Sequence, residues 1–175
     1  MFRAMLESIT FAERVGVSCV VCRTRPETRA PKHETRHTTL TQIIFFMTFP
    51  DNCKYTKDHE WIRMESGSMA YIGITDFAQG ELGELVYVDV NTVGRELKAN
   101  EIFGTVEAVK TTSDLYMPVE ARVMGLNFEL DTHPNYINED PYGKGWIIKV
   151  DVVDTLAVDM LLDAAAYKEF VGQKE

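Results

Sequence analysis

The chain has 175 residues, 45% hydrophobic and 26% charged, an ordinary composition for one globular domain and too little chain for two large ones. Its net charge of −9 is uneven: residues 1–46 hold seven Arg/Lys against four Glu, a net of +3, and residues 47–175 hold eleven Arg/Lys against twenty-three Asp/Glu, a net of −12. So acidic a body repels nucleic acid and anionic membrane alike, and no apolar run reaches the roughly 18 residues of a spanning helix.

Residues 1–46 read differently from the rest. The stretch 23–36 (RTRPETRAPKHETR) is polar and interrupted by Pro26 and Pro31, with nothing to bury, so poor order is expected. Cys19 and Cys22, followed by His33 and His37, are the residue types of a Cys2His2 zinc site. The ten residues between Cys22 and His33 fall short of the usual gap, and the apolar residues that let such a finger fold are missing, so no metal is expected. An organellar transit peptide would be poor in acids, whereas Glu7, Glu13, Glu27 and Glu34 are present. Were it a transit peptide, the destination would be the mitochondrial matrix rather than a bacterial cytoplasm. The simpler expectation is that Met47 is the natural start, with 1–46 an upstream extension and 47–175 the functional domain. Only Cys53 lies in that body, so no disulfide framework forms within it and a reducing compartment is expected.

From Lys54 the signals become regular. Residues 60–65 (EWIRME) and 69–75 (MAYIGIT) alternate on either side of Ser66-Gly67-Ser68, the pattern of a hairpin. His59-Glu60 could open a zinc-protease motif, but no second histidine follows at the required spacing. Residues 76–82 (DFAQGEL) begin with a capping residue and fit one or two helical turns. A β-rich run at 85–90 (LVYVDV) ends in the turn Asn91-Thr92-Val93-Gly94. The stretch 101–119 (EIFGTVEAVKTTSDLYMPV) then reads as a second hairpin with Lys110 at its tip. On its first arm Val106 and Ala108 share one face, and Thr105, Glu107 and Val109 the other. Pro118 on the second arm cannot donate to a ladder, which predicts an edge or bulge there.

Residues 123–130 give another strand, 131–140 a loop in which His133 is read as structural or solvated rather than catalytic, and 146–153 (WIIKVDVV) a core strand. Asp163 is placed to cap a closing helix in which Tyr167 and Phe170 share a face, with Gly172 past its end. The sum is a mainly β domain, a small barrel or sandwich, with a short helix after the first hairpin and a C-terminal helix. No phosphate-binding glycine loop, nucleophile elbow or Ser–His–Asp pattern occurs, and no enzymatic activity is expected.

Spacing alone leaves Lys110 open. A solvated turn lysine is the plain reading. A Schiff-base lysine needs burial or cationic neighbours, and its nearest ionisable neighbours in sequence are Glu107 and Asp114. An exposed turn lysine is also well placed to carry a group.

Six ordered motifs bear on that choice: His59-Glu60-Trp61-Ile62, Gly73-Ile74-Thr75-Asp76-Phe77-Ala78-Gln79, Leu82-Gly83-Glu84, Phe103-Gly104-Thr105-Val106-Glu107-Ala108-Val109-Lys110, Asn138-Glu139-Asp140-Pro141-Tyr142 and Gly145-Trp146. Together they make residues from about 54 to 172 resemble the H proteins of the glycine cleavage system. The chain departs from the usual family residues at Asn91, Ala108 and Ala121, where Pro, Ser and Gly are common.

The resemblance implies a flattened barrel or sandwich of the lipoyl type, with lipoate in amide linkage on Lys110. It implies a non-catalytic carrier that takes the aminomethyl group of glycine from a pyridoxal-phosphate glycine decarboxylase (P protein) to an aminomethyltransferase (T protein). A dihydrolipoamide dehydrogenase (L protein) and a lipoate ligase or lipoyl transferase complete the implied partners; Glu107 is expected either to assist recognition by the last or simply to solubilise the surface.

A lipoyl domain of a 2-oxoacid dehydrogenase is the nearest rival, but those domains carry Asp where this chain has Val109. A biotin carrier would place Met on both sides of the lysine. A lipoyl relay or scaffold protein not engaged in glycine cleavage stays open.

Overall fold

Strands whose apolar residues alternate have one face to bury, and the simplest solution is to share it between two sheets. The computed structural model describes residues 47–172, so the readings placed on 1–46, including Cys19, Cys22, His33 and His37, lie outside the described residues. Strands β1 (Lys54–Tyr55), β2 (Glu60–Ser66) and β3 (Met69–Ile74) come first, followed by helix α1 (Asp76–Leu82). Next are β4 (Leu85–Asp89), β5 (Glu96–Leu97), β6 (Ile102–Ala108), β7 (Thr112–Tyr116) and β8 (Ala121–Leu126). A 3-10 turn (Phe128–Asp131), helix α2 (Tyr136–Glu139), β9 (Ile148–Val152), α3 (Thr155–Asp159) and α4 (Ala164–Gly172) complete the chain.

One sheet has six strands in the order β1-β2-β3-β9-β8-β5, and the other has three in the order β4-β6-β7. The strands within each pair antiparallel. Inward residues of both, among them Ile62, Ile72, Val150, Val106 and Leu115, form one buried core. The two sheets do not close into a barrel. The expected mainly β fold, with the helix after the first hairpin and the C-terminal helix, is therefore present as a sandwich. Pro118 lies two residues beyond β7, an edge strand, as its missing N–H requires.

A second, aromatic cluster lies under α4. Tyr55 and Tyr167 stack with ring centroids 4.7 Å apart, and the buried Trp61 donates its indole N–H to Pro141 O at 3.1 Å. Trp61 faces Gly73 across the β2–β3 ladder, where a Cβ would stand 2.8 Å from the indole, so that position requires glycine. Asp163 accepts from Ala166 N–H at 2.7 Å and starts α4 as its sequence position suggests. Tyr167 is fully buried and Phe170 packs beside it.

Several elements differ from the sequence reading. β8 ends at Leu126 instead of continuing to 130. There Asn127 accepts from Glu129 N–H at 3.2 Å and donates to the carbonyls of Lys144 and Trp146, both at 2.8 Å. A side chain that satisfies nearby backbone competes with the ladder and turns the chain. The expected loop at 131–140 contains α2, and α3 was not expected; Asp154 caps it by accepting from Leu156 N–H at 2.9 Å. β1 and β5, two residues each, are too short to show alternation.

Candidate functional site

The β6–β7 hairpin closes in two residues. Ala108 and Thr111 exchange backbone bonds of 2.8 and 3.3 Å, which leaves Val109 and Lys110 as the loop. Alternation buries Val106 and Ala108 and exposes Glu107 and Val109, and Lys110, in the loop beyond the strand, is exposed as well. β6 is the middle strand of its sheet, flanked by β4 and β7, and Ala108 pairs with Leu85. One step further along, Val109 N–H donates to Glu84 O at 3.0 Å. The turn is thus held from three strands' worth of backbone, and the lysine side chain stands clear of it. Among the described residues, no hydrogen-bond or ion-pair partner meets its ammonium.

The outward face beside the turn is acidic and partly aromatic. Glu107 lies between Tyr87 on β4 and Thr112 on β7 in the registers of the two ladders. Asp114 faces Thr105, which faces Asp89, and Glu84 is exposed at the entrance to β4. Tyr87 is exposed as well. The sequence-nominated Glu107 and Lys110 therefore share one surface.

A buried carboxylic acid went unnoticed in the sequence reading. Glu60 is 2% exposed; one carboxylate oxygen accepts from Tyr116 N–H at 3.0 Å, and the other is bonded to the Thr56 hydroxyl. Burial pushes its carboxyl up to about 7, against the lowering effect of those bonds. The signal was available: alternation puts Glu60 on the same face of β2 as the core residue Ile62. Glu60 sits at the far end of β7 from the Lys110 turn.

His59 precedes it with a φ of 74°, in the left-handed region, and its Nδ1 lies 2.6 Å from the Tyr167 hydroxyl. That hydroxyl is 2.9 Å from Thr75 Oγ1, which also accepts from Ala78 N–H to cap α1. His133 is exposed and stacks on Tyr136, with ring centroids 5.0 Å apart. Among the described residues, no group of three or more His, Cys, Asp or Glu has the arrangement of a metal site. No helix among them is long and apolar enough to cross a membrane.

Known proteins are similar to this chain in sequence and in architecture. A family profile described as "Glycine cleavage H-protein" matches residues 53–174. A glycine cleavage system H protein of Chlorobium limicola is 52% identical over 128 residues, 73% of this chain and 100% of the relative. One from Bacteroides thetaiotaomicron is 53% identical over 126 residues, 72% of this chain and 99% of the relative. The crystal structure of a glycine cleavage system H protein from Mycobacterium marinum superposes with a TM-score of 0.61 at 37% identity. It covers 71% of this chain and 98% of that one.

Proposed function

The chain belongs to the glycine cleavage H-protein family, and from that premise we propose that it is the lipoyl carrier of a glycine cleavage system, with Lys110 bearing lipoate in amide linkage. The observation that supports this best is an exposed lysine on a two-residue turn, without a hydrogen-bond or ion-pair partner among the described residues. Acylation of a lysine removes its charge, and here that breaks no contact among those residues. Bound there, lipoate supplies a ring disulfide that accepts a one-carbon amine unit on opening and is restored by oxidation.

The chain's own residues present that group and leave the chemistry to others. The β-ladder on both sides of β6 limits how far the turn can move, and Ala108 anchors it in the core. The rim of Glu84, Asp89, Glu107 and Asp114 suits basic surfaces on partners, where charge complementarity speeds encounter and sets orientation. Those partners are the pyridoxal-phosphate decarboxylase, the aminomethyltransferase, the dihydrolipoamide dehydrogenase and the lipoyl-attaching enzyme. One tethered group meets each of them at high local concentration. The bacterial relatives agree with a bacterial cytoplasm as the site of action.

Peptide mass spectrometry of the native protein tests the attachment, with a lipoyl adduct expected on Lys110; an adduct on another lysine would refute it. A glycine–bicarbonate exchange assay with the decarboxylase tests the role. Exchange that depends on the lipoylated chain is expected, and its absence with fully lipoylated protein would favour a relay or scaffold.

A further inference from the structure

The two residues of the Lys110 turn do not specify it by themselves. Two-residue hairpin loops match strand twist when their backbone enters the left-handed region, as Asn-Gly pairs do. Among the described non-glycine residues only His59 and Asn100 have positive φ, so Val109 and Lys110 form the kind of turn that tends to splay its strands. One of the two closing bonds is long, at 3.3 Å. The bond from Val109 N–H to Glu84 O supplies the missing constraint.

Glu84 lies between α1 and β4, in a segment whose place is set from elsewhere. The Asn138 amide, on α2, donates to Gly83 O at 2.8 Å and accepts from Leu85 N–H at 3.0 Å. It therefore brackets Glu84 on both sides. The same Nδ2 donates to Gln79 Oε1 at 2.8 Å, which orients the amide. Ile137, next to Asn138, is fully buried and anchors α2 to the core.

We propose that Asn138 is a positioning residue for Lys110: by bracketing Glu84 it fixes the carbonyl that holds the turn, and so sets how the lysine is presented to the enzyme that acylates it. The presentation step rests on reading Lys110 as the modified lysine. The bracing of the turn does not.

Amide hydrogen exchange at Val109 in the full chain tests the bracing. Asn138→Ala should speed exchange at Val109 by about tenfold, the protection of one hydrogen bond, and leave the Val150 and Val152 amides in β9 unchanged. Lipoylation kinetics with lipoate, ATP and a purified lipoate–protein ligase test presentation. The KM for this variant should rise roughly threefold or more with kcat unchanged, because placement and not chemistry is altered. Asn135→Ala, in the same helix turn but bonded to Glu139, should match the unaltered protein in both readouts.

Unchanged Val109 exchange in a folded Asn138→Ala protein overturns the proposal, and faster exchange with unchanged KM overturns its link to presentation. If Asn138→Ala does not fold, Gln79→Ala decides, because it withdraws the partner that orients the amide, along with the Gln79 Nε2 bond to Asp76 Oδ1 within α1, and leaves Asn138 itself in place. A smaller rise in Val109 exchange is expected there, and none overturns the proposal. A Lys110→Arg protein that still acquires lipoate would sink the lysine assignment and leave the exchange result standing.

Discussion

Glu60 on β2 accepts a hydrogen bond from the backbone N–H of Tyr116 on β7 at 3.0 Å, so one buried carboxyl joins the six-stranded sheet to the three-stranded one. Burial raises that carboxyl to about 7 from an ordinary 4.5. The folded chain therefore keeps a proton that the unfolded chain releases near pH 4.5. The stabilisation from this group is complete below pH 4.5, falls as pH rises to about 7, and is absent above it.

The total swing is on the order of 3 kcal/mol. Glu60→Gln keeps an oxygen for Tyr116 N–H and removes the titration. Urea unfolding across pH 4.5–8 should show the variant more stable than the unaltered protein above pH 7, and similar to it near pH 4.5. Parallel stability curves would show that Glu60 does not titrate in that window.

Lys110→Arg keeps a positive charge on an exposed turn. Its unfolding free energy should stay within about 0.5 kcal/mol of the unaltered protein, as for most surface changes. Intact mass after co-expression with a lipoyl-attaching enzyme should lack the lipoyl increment. A modified variant would place the attachment elsewhere.

Gly73→Ala adds a methyl group where a Cβ meets three indole atoms of Trp61 at 2.8 to 3.0 Å. The indole is fully buried and its N–H is committed to Pro141 O, so it has little freedom to retreat. Overpacking of this kind costs about 1–3 kcal/mol. The denaturation midpoint should fall and tryptophan fluorescence should shift. An unchanged midpoint would mean that the aromatic cluster yields more easily than its packing suggests.

Cys53 is buried, and burial pushes its thiol up to about 11. The thiolate is the reactive form, so alkylation of the native protein at pH 8 should leave Cys53 unmodified, and alkylation in strong denaturant should modify it. Peptide mass spectrometry distinguishes the two. Rapid native labelling would show that the aromatic cluster opens readily.

Much of this arrangement is legible in the sequence because it depends on neighbours a few residues apart. Alternation assigns Val106 and Ala108 to the core and Glu107 and Val109 to solvent, the tip of the hairpin leaves Lys110 outside the ladder, and the capping residues Asp76 and Asp163 mark where helices begin. Even there the local signal slips by a residue: the side chain that caps α1 is Thr75, one position earlier than Asp76. The longer reach of β8 failed for a different reason. Residues 127–130 carry a strand-like pattern, but the Asn127 amide is claimed by Lys144 O and Trp146 O, carbonyls that sequence order keeps 17 and 19 residues away.

The sequence by itself determined the alternating strands and a hairpin with Lys110 at its tip, because backbone pleating and burial act on adjacent residues. Only the tertiary structure decided what restrains that turn and what lies beneath it. Asn138 meets Gly83 across 55 positions, and Glu60 meets Tyr116 across 56. Hydrogen bonds of that span have no periodicity to reveal them. They form because packing two sheets and a short helix around one core brings buried polar groups together, where leaving either partner unsatisfied would cost more than the bond itself returns.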